Sequence, residues 1–111
     1  MKVFWTPLAR QRLAEIETRI AESNPAAARR IAARLVQRTY SLKEPPLLGK
    51  RISQYGATDV RELLVRPFRV IFRVTQDRIE ILTLMHYRQL LPSDLKALLT
   101  PPPSSPNPKQ H

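Results

Sequence analysis

The feature that most limits how this chain can fold is a change of period. Up to residue 42, apolar side chains recur every three or four positions; beyond residue 58 they recur at every second position. The first spacing lines one face of a helix, and the second lines one face of a strand. A block of helices followed by a block of strands is an α+β arrangement.

The helical block announces its own boundaries. Residues 2–5 alternate as a short strand, with Val3 and Trp5 on one side and Lys2 and Phe4 on the other. Thr6-Pro7 then opens a helix: the threonine oxygen can accept from a free backbone N–H, and a proline at the first helical position loses nothing by lacking its own. Ala9, Leu13, Ile16 and Ile20 form one apolar stripe. Asn24-Pro25 repeats the device and predicts a second helix over about residues 25–42, whose buried face is Ala28, Ile31, Ala32, Leu35, Thr39 and Leu42. Pro45-Pro46 ends it. Two amphipathic helices on a short connection make an antiparallel hairpin. Arg29, Arg30, Arg34 and Arg38 read as its solvated side.

Residues 43–58 read as a loop, followed by strands over about 59–65, 68–75 and 78–86. Arg66-Pro67 and Gln76-Asp77 mark the two short gaps, which are hairpin connections. In the middle strand Val70, Phe72 and Val74 share the face that packs on the helices. Arg69, Ile71 and Arg73 share the other, expected to be open to solvent or a partner. Turning about Gln76-Asp77 sets Arg73 opposite Glu80 and Arg69 opposite Leu84. The expected fold is α+β: an N-terminal strand and an antiparallel helical hairpin packed on a twisted antiparallel sheet. One domain spans residues 1–100 and ends in a short helix near 92–99. Five of the eleven prolines fall between Pro101 and Pro108, so residues 101–111 are expected to be a disordered tail that can be deleted without loss of folding.

Composition narrows the chemistry. Nineteen Lys and Arg against nine Asp and Glu give a formal charge of +10, which favours an anionic partner such as nucleic acid or an acidic protein. The chain has no cysteine, so disulfides, thiolate metal sites and cysteine nucleophiles are excluded. The two histidines, His86 and His111, have no clustered carboxylates to complete a metal site. No cofactor or membrane role is expected. The opening residues lack the apolar run of a signal peptide, so a cytoplasmic location is expected.

Several segments, in this order, resemble one family. Trp5-Thr6-Pro7-Leu8-Ala9, Asn24-Pro25-Ala26-Ala27-Ala28-Arg29-Arg30 and Glu44-Pro45-Pro46-Leu47-Leu48-Gly49-Lys50 are followed by Arg61-Glu62-Leu63 and Phe68-Arg69-Val70-Ile71-Phe72-Arg73-Val74. The series ends in Ile79-Glu80-Ile81-Leu82 and His86-Tyr87-Arg88. The set is similar to the toxins of the RelE/ParE superfamily, closest to the ParE branch, over about residues 3–95. The resemblance implies a type II toxin neutralised by a cognate antitoxin. Membership of the ParE branch would imply a poison of DNA gyrase, with Arg61, Arg69, Arg73, His86 and Arg88 as the surface that meets target or antitoxin.

The alternative is the superfamily's metal-independent endonuclease activity, which cleaves messenger RNA on the ribosome. There Arg69 and Arg88 would hold the scissile phosphate, and His86 would serve as base or acid, since an imidazole can do either near neutral pH. Tyr87 would stack on a base or assist a proton, and Glu44 could supply a carboxylate. The lysine pair used by some of these nucleases is missing from Arg61-Glu62-Leu63-Leu64-Val65. A third possibility is a non-toxic basic module that binds nucleic acid. Each residue also has a plainer reading: His86 as a hydrogen-bonded strand end, Arg73 and Glu80 as a cross-strand ion pair, Trp5 and Phe72 as core.

Overall fold

A computed structural model of the chain describes residues 1–43, 49–56 and 59–99. Strand β1 (Lys2–Trp5) leads into helix α1 (Pro7–Ala21), which turns into helix α2 (Pro25–Tyr40). Both predicted caps form. Thr6 Oγ1 accepts from the Ala9 N–H at 3.2 Å, and Asn24 Oδ1 accepts from the Ala27 N–H at 3.0 Å. The Thr6 hydroxyl also donates to the Ile81 carbonyl at 2.8 Å, so one side chain starts α1 and pins it to the sheet. The second helix stops two residues earlier than expected and continues as a single 3₁₀ turn, Ser41–Lys43.

The remaining strands are β2 (Lys50–Arg51), β3 (Val60–Val65), β4 (Phe68–Val74) and β5 (Arg78–His86), with a short helix α3 (Lys96–Leu99). They form one five-stranded sheet in the order β1-β5-β4-β3-β2. The three long strands pair as the expected antiparallel meander. Two features were not expected: β2 emerges from the predicted loop, and β1 lies parallel to β5, so the sheet is mixed. The hairpin register holds at Arg73 opposite Glu80 but shifts by one beyond it, setting Arg69 opposite Met85 instead of Leu84. The cause is a β-bulge. Phe72 faces Ile81 and Ile71 faces Thr83, leaving Leu82 as the extra residue.

The sheet carries apolar cores on both faces. Leu35 and Leu42 from the helical side meet Leu63, Val70, Phe72, Ile79 and Ile81. Leu35, Val70, Phe72, Ile79 and Ile81 are fully buried, and each such side chain contributes about 1.5–3 kcal/mol. Trp5 lies against this core, and its indole N–H donates to Thr39 Oγ1 at 3.3 Å, which gives the one polar position in the α2 stripe a partner.

The opposite face, expected to be open, holds a second core of Ile52, Tyr55, Val60, Ile71, Leu82, Met85 and Leu98. It is covered by the 3₁₀ turn Ser53–Tyr55 and by the chain after residue 90. Tyr55 donates to the Pro92 carbonyl at 2.6 Å and Gln54 to the same oxygen at 3.0 Å. Burial pushes the Tyr55 hydroxyl above its ordinary pKa. Ile71 accounts for the covering: a fully buried isoleucine between two arginines needs an apolar lid. The predicted last helix is shorter than expected but supplies that lid through Leu98. The Pro-rich tail, residues 101–111, and Glu44 lie outside the described residues. No helix among the described residues is long and apolar enough to cross a membrane.

Candidate functional site

Of the predicted site residues, Arg69, His86, Tyr87 and Arg88 meet at the corner where β5 ends. His86 is the last residue of β5 and faces Phe68, with the two rings edge to face at 6.1 Å. The chain then turns sharply. The Gln89 N–H donates to the His86 carbonyl at 2.9 Å, and its side-chain oxygen accepts from the His86 N–H at 2.7 Å. The Tyr87 N–H donates to the Pro67 carbonyl at 2.8 Å, which ties the turn to the β3–β4 connection.

Within this turn the side chains are interlocked. The Arg88 N–H donates to His86 Nδ1 at 3.2 Å. An accepting Nδ1 leaves the ring proton on Nε2. The Tyr87 ring stacks on the imidazole at 4.8 Å, and the Arg88 guanidinium sits 5.3 Å from the Tyr87 ring centre while its Nε donates to the Tyr87 hydroxyl at 3.0 Å. Phe68, His86, Tyr87 and Arg88 thus form a ladder of rings closed by a cation, with Tyr87 largely exposed.

Arg69 reaches the same corner from the other side. Its strand partner Met85 belongs to the second core, whereas His86 and its partner Phe68 face the helical side. Arg69 and His86 therefore leave opposite faces and are joined through the turn. Arg69 Nε donates to Glu62 Oε1 at 2.7 Å and its Nη1 to the Gln89 carbonyl at 3.0 Å. Its guanidinium buttresses the turn that holds the imidazole.

Arg73 and Arg61 stand apart from this corner. Arg73 shares the Arg69 face but lies toward the far end of β4, where Glu80 accepts from it and from Arg78. Burial raises the Glu80 carboxyl pKa, but the two guanidinium groups outweigh it and hold the pKa below the ordinary value. Arg61 pairs with Phe72, so its side chain leaves the helical face, where it meets Asp59 at 2.8 Å. The strand alternation that places Arg69 and Arg73 together also sends Arg61 the other way.

Beside the ring ladder lies a groove of about 710 Å³ between α1 and residues 84–98. Leu8, Ile16, Ile20, Phe68, Leu84 and Leu90 give it an apolar floor and wall, and Arg12, Glu15, Arg19 and His86 also line it. Arg12 and Glu15 form an ion pair at 2.8 Å, and that hydrogen bond holds the Glu15 carboxyl below its usual pKa. Sequence reasoning missed the groove, because Ile16 and Ile20 read as core and are only partly buried. A signal was present in Leu90, an apolar residue after the turn that the core does not absorb and that is 91% exposed. Among the described residues no cluster of three or more His, Asp or Glu side chains is arranged to hold a metal.

The sequence and the fold have known counterparts. The family model of the ParE toxin of the type II toxin-antitoxin system, parDE, matches residues 3–91. The chain belongs to the ParE toxin family. Y4kP of Sinorhizobium fredii (strain NBRC 101917 / NGR234), named as a candidate toxin, is 36% identical over 96 residues, covering 85% of this chain and 96% of that protein. A structure of the chromosomal ParDE toxin–antitoxin system of P. aeruginosa superposes with a TM-score of 0.66 at 25% identity, over 78% of this chain and 95% of that one. The toxin–antitoxin complex RelBE2 of Mycobacterium tuberculosis shares the fold, with a TM-score of 0.58 at 22% identity, over 77% and 95% of the two chains. The chain is thus a type II toxin, and the reading as a non-toxic module is set aside.

Proposed function

We propose that this toxin acts in the cytoplasm by poisoning DNA gyrase, through binding and without bond chemistry of its own, and that a cognate antitoxin neutralises it. The observation that carries the reading is that the groups a nuclease would use are each engaged within the fold through at least one atom. Arg69 is held by Glu62 and Gln89, His86 Nδ1 accepts from Arg88, and the Tyr87 hydroxyl accepts from the same arginine. A general base must reach the proton it removes, and a phosphate clamp must have its N–H groups unspent. The ladder instead makes a rigid, partly exposed edge of the kind that anchors an interface. The adjoining groove, apolar with a charged rim, suits an amphipathic antitoxin segment.

The purified toxin should inhibit supercoiling by gyrase and raise the fraction of cleaved DNA, while messages translated in its presence stay intact. Adding antitoxin should reverse both effects. The competing reading is a ribosome-dependent endonuclease. It is favoured by His86 Nε2, which has no hydrogen-bond partner among the described residues and lies at the same corner as Tyr87 and Arg88. Codon-phased cuts in translated messages that disappear in His86→Ala, with gyrase unaffected, would establish that reading in place of the first.

A further inference from the structure

Most arginines of the sheet are spent differently from those of α2, Arg51 of β2 being the exception. Arg61, Arg69, Arg73 and Arg78 each pair with a carboxylate. Helix α2 carries Arg29, Arg30, Arg34 and Arg38 and no acidic residue in its sixteen positions. Among the described residues, no carboxylate lies within ion-pair distance of any of the four. Arg29, Arg30 and Arg34 are exposed and Arg38 is half-buried. Arg30, Arg34 and Arg38 follow one another at four-residue steps, so they stack along one side of the helix. Like charges at that spacing repel and weaken a helix. Arg38 is compensated by the carbonyl end of the helix, but Arg29 and Arg30, far from that end, are not. Among the described residues, no ion pair ties Arg29, Arg30 or Arg34 to the rest of the fold.

We infer that the arginine stripe of α2 docks the phosphate backbone of duplex DNA. Each four-residue step rises about 6 Å, so the three guanidinium groups form a linear row of positive charge that can run beside a line of phosphates. Around the stripe, Ala26, Ala33 and Gln37 are exposed, and they let a backbone approach closely. The one large apolar side chain that α2 exposes is Tyr40, at its end beyond the stripe. A protein partner would need an apolar centre for its interface, and a membrane surface would need an apolar face beside the charges; the stripe has neither. Arginine also suits the task, because its forked N–H groups match phosphate oxygens. The inference does not rest on the gyrase reading, since it concerns a helix remote in sequence from the His86 turn.

The test uses the full chain and a short fluorescein-labelled duplex of arbitrary sequence, followed by anisotropy as salt is raised. Wild-type toxin should bind, with an affinity that falls steeply with salt. Changing Arg30, Arg34 and Arg38 together to Gln should weaken binding by about tenfold or more and reduce the slope of log K against log salt by about 2–3, near 0.9 for each phosphate no longer neutralised. The same three positions changed to Lys should keep most of the slope. A control changing Lys2, Arg51 and Lys96 to Gln removes the same charge elsewhere and should leave the slope nearly unaltered. Circular dichroism would verify that each variant is folded. Equal losses in the control and stripe variants would reduce the effect to net charge and overturn the inference. So would a wild-type toxin that ignores the duplex, or one that binds polyglutamate through the stripe in preference to it.

Discussion

Glu80 is the most heavily engaged carboxylate in the sheet, and replacing it with Gln tests how that engagement holds β4 to β5. Its side chain is only 9% exposed, and it accepts from Arg73 Nε at 3.0 Å and from Arg78 Nε at 2.9 Å. Glu80→Gln keeps the shape and removes the charge. A hydrogen bond to a charged group contributes about 1.5–3 kcal/mol net, and the Arg73 pair, with that side chain 29% exposed, should fall near the lower end. Arg78 is 46% exposed, so its share is that of a surface pair, about 0–1 kcal/mol. The expected loss is about 1.5–2.5 kcal/mol, below the roughly 3–5 kcal/mol for breaking a fully buried pair. At roughly 4–8 °C per kcal/mol for a domain of this size, Tm should fall by about 6–20 °C.

The effect should also depend on pH with a definite sign. Because Glu80 titrates lower folded than unfolded, the unfolded chain takes up the proton first. The stabilisation is therefore complete above the unfolded value, about 4.3, and is lost as pH falls through the lowered folded value. Urea unfolding of wild-type and Glu80→Gln toxin between pH 7 and pH 3 should give curves that converge in acid. A gap below about 0.5 kcal/mol at pH 7, within the range of ordinary surface changes, or a gap that stays constant into acid, would refute the reasoning.

Other perturbations have equally direct readouts. Leu35→Ala empties a fully buried position between α2 and the sheet and should lower unfolding free energy by about 2–5 kcal/mol in urea titrations. Gly49→Ala would set a Cβ 2.6 Å from the Glu62 carbonyl oxygen at a backbone φ of +93°, so a loss of about 1–3 kcal/mol is expected by thermal melting. Arg69→Met frees the Gln89 carbonyl and leaves Glu62 without its guanidinium. Amide exchange of His86 and Gln89 should accelerate while the α1 and α2 amides keep their protection.

Much of the fold could be read from local chemistry. Thr6-Pro7 and Asn24-Pro25 placed both helix starts because a cap and a proline act within four residues of one another. The alternation of Val70, Phe72 and Val74 against Arg69, Ile71 and Arg73 assigned the faces of β4 correctly. The bulge at Leu82 was not legible, since it lies inside the run Ile79-Glu80-Ile81-Leu82-Thr83-Leu84 with no glycine to mark it. Nor was the cover over Ile71, which comes from Tyr55 and Leu98, residues whose meeting depends on the whole chain path. At the candidate site, the convergence of Arg69 with the His86 turn followed from strand pairing. That they leave opposite faces follows from the one-residue shift that the bulge introduces.

The parallel pairing of β1 with β5 bears on how the chain is made. Lys2 faces Arg78 and Trp5 faces Ile81, so the first strand to leave the ribosome waits for the last one. At about 5–20 residues per second, the helical hairpin has several seconds to form before its apolar floor exists. Closing so long a loop is the slow kind of event in folding. Closure of the sheet, and of the helical hairpin onto it, thus waits on the synthesis of β5.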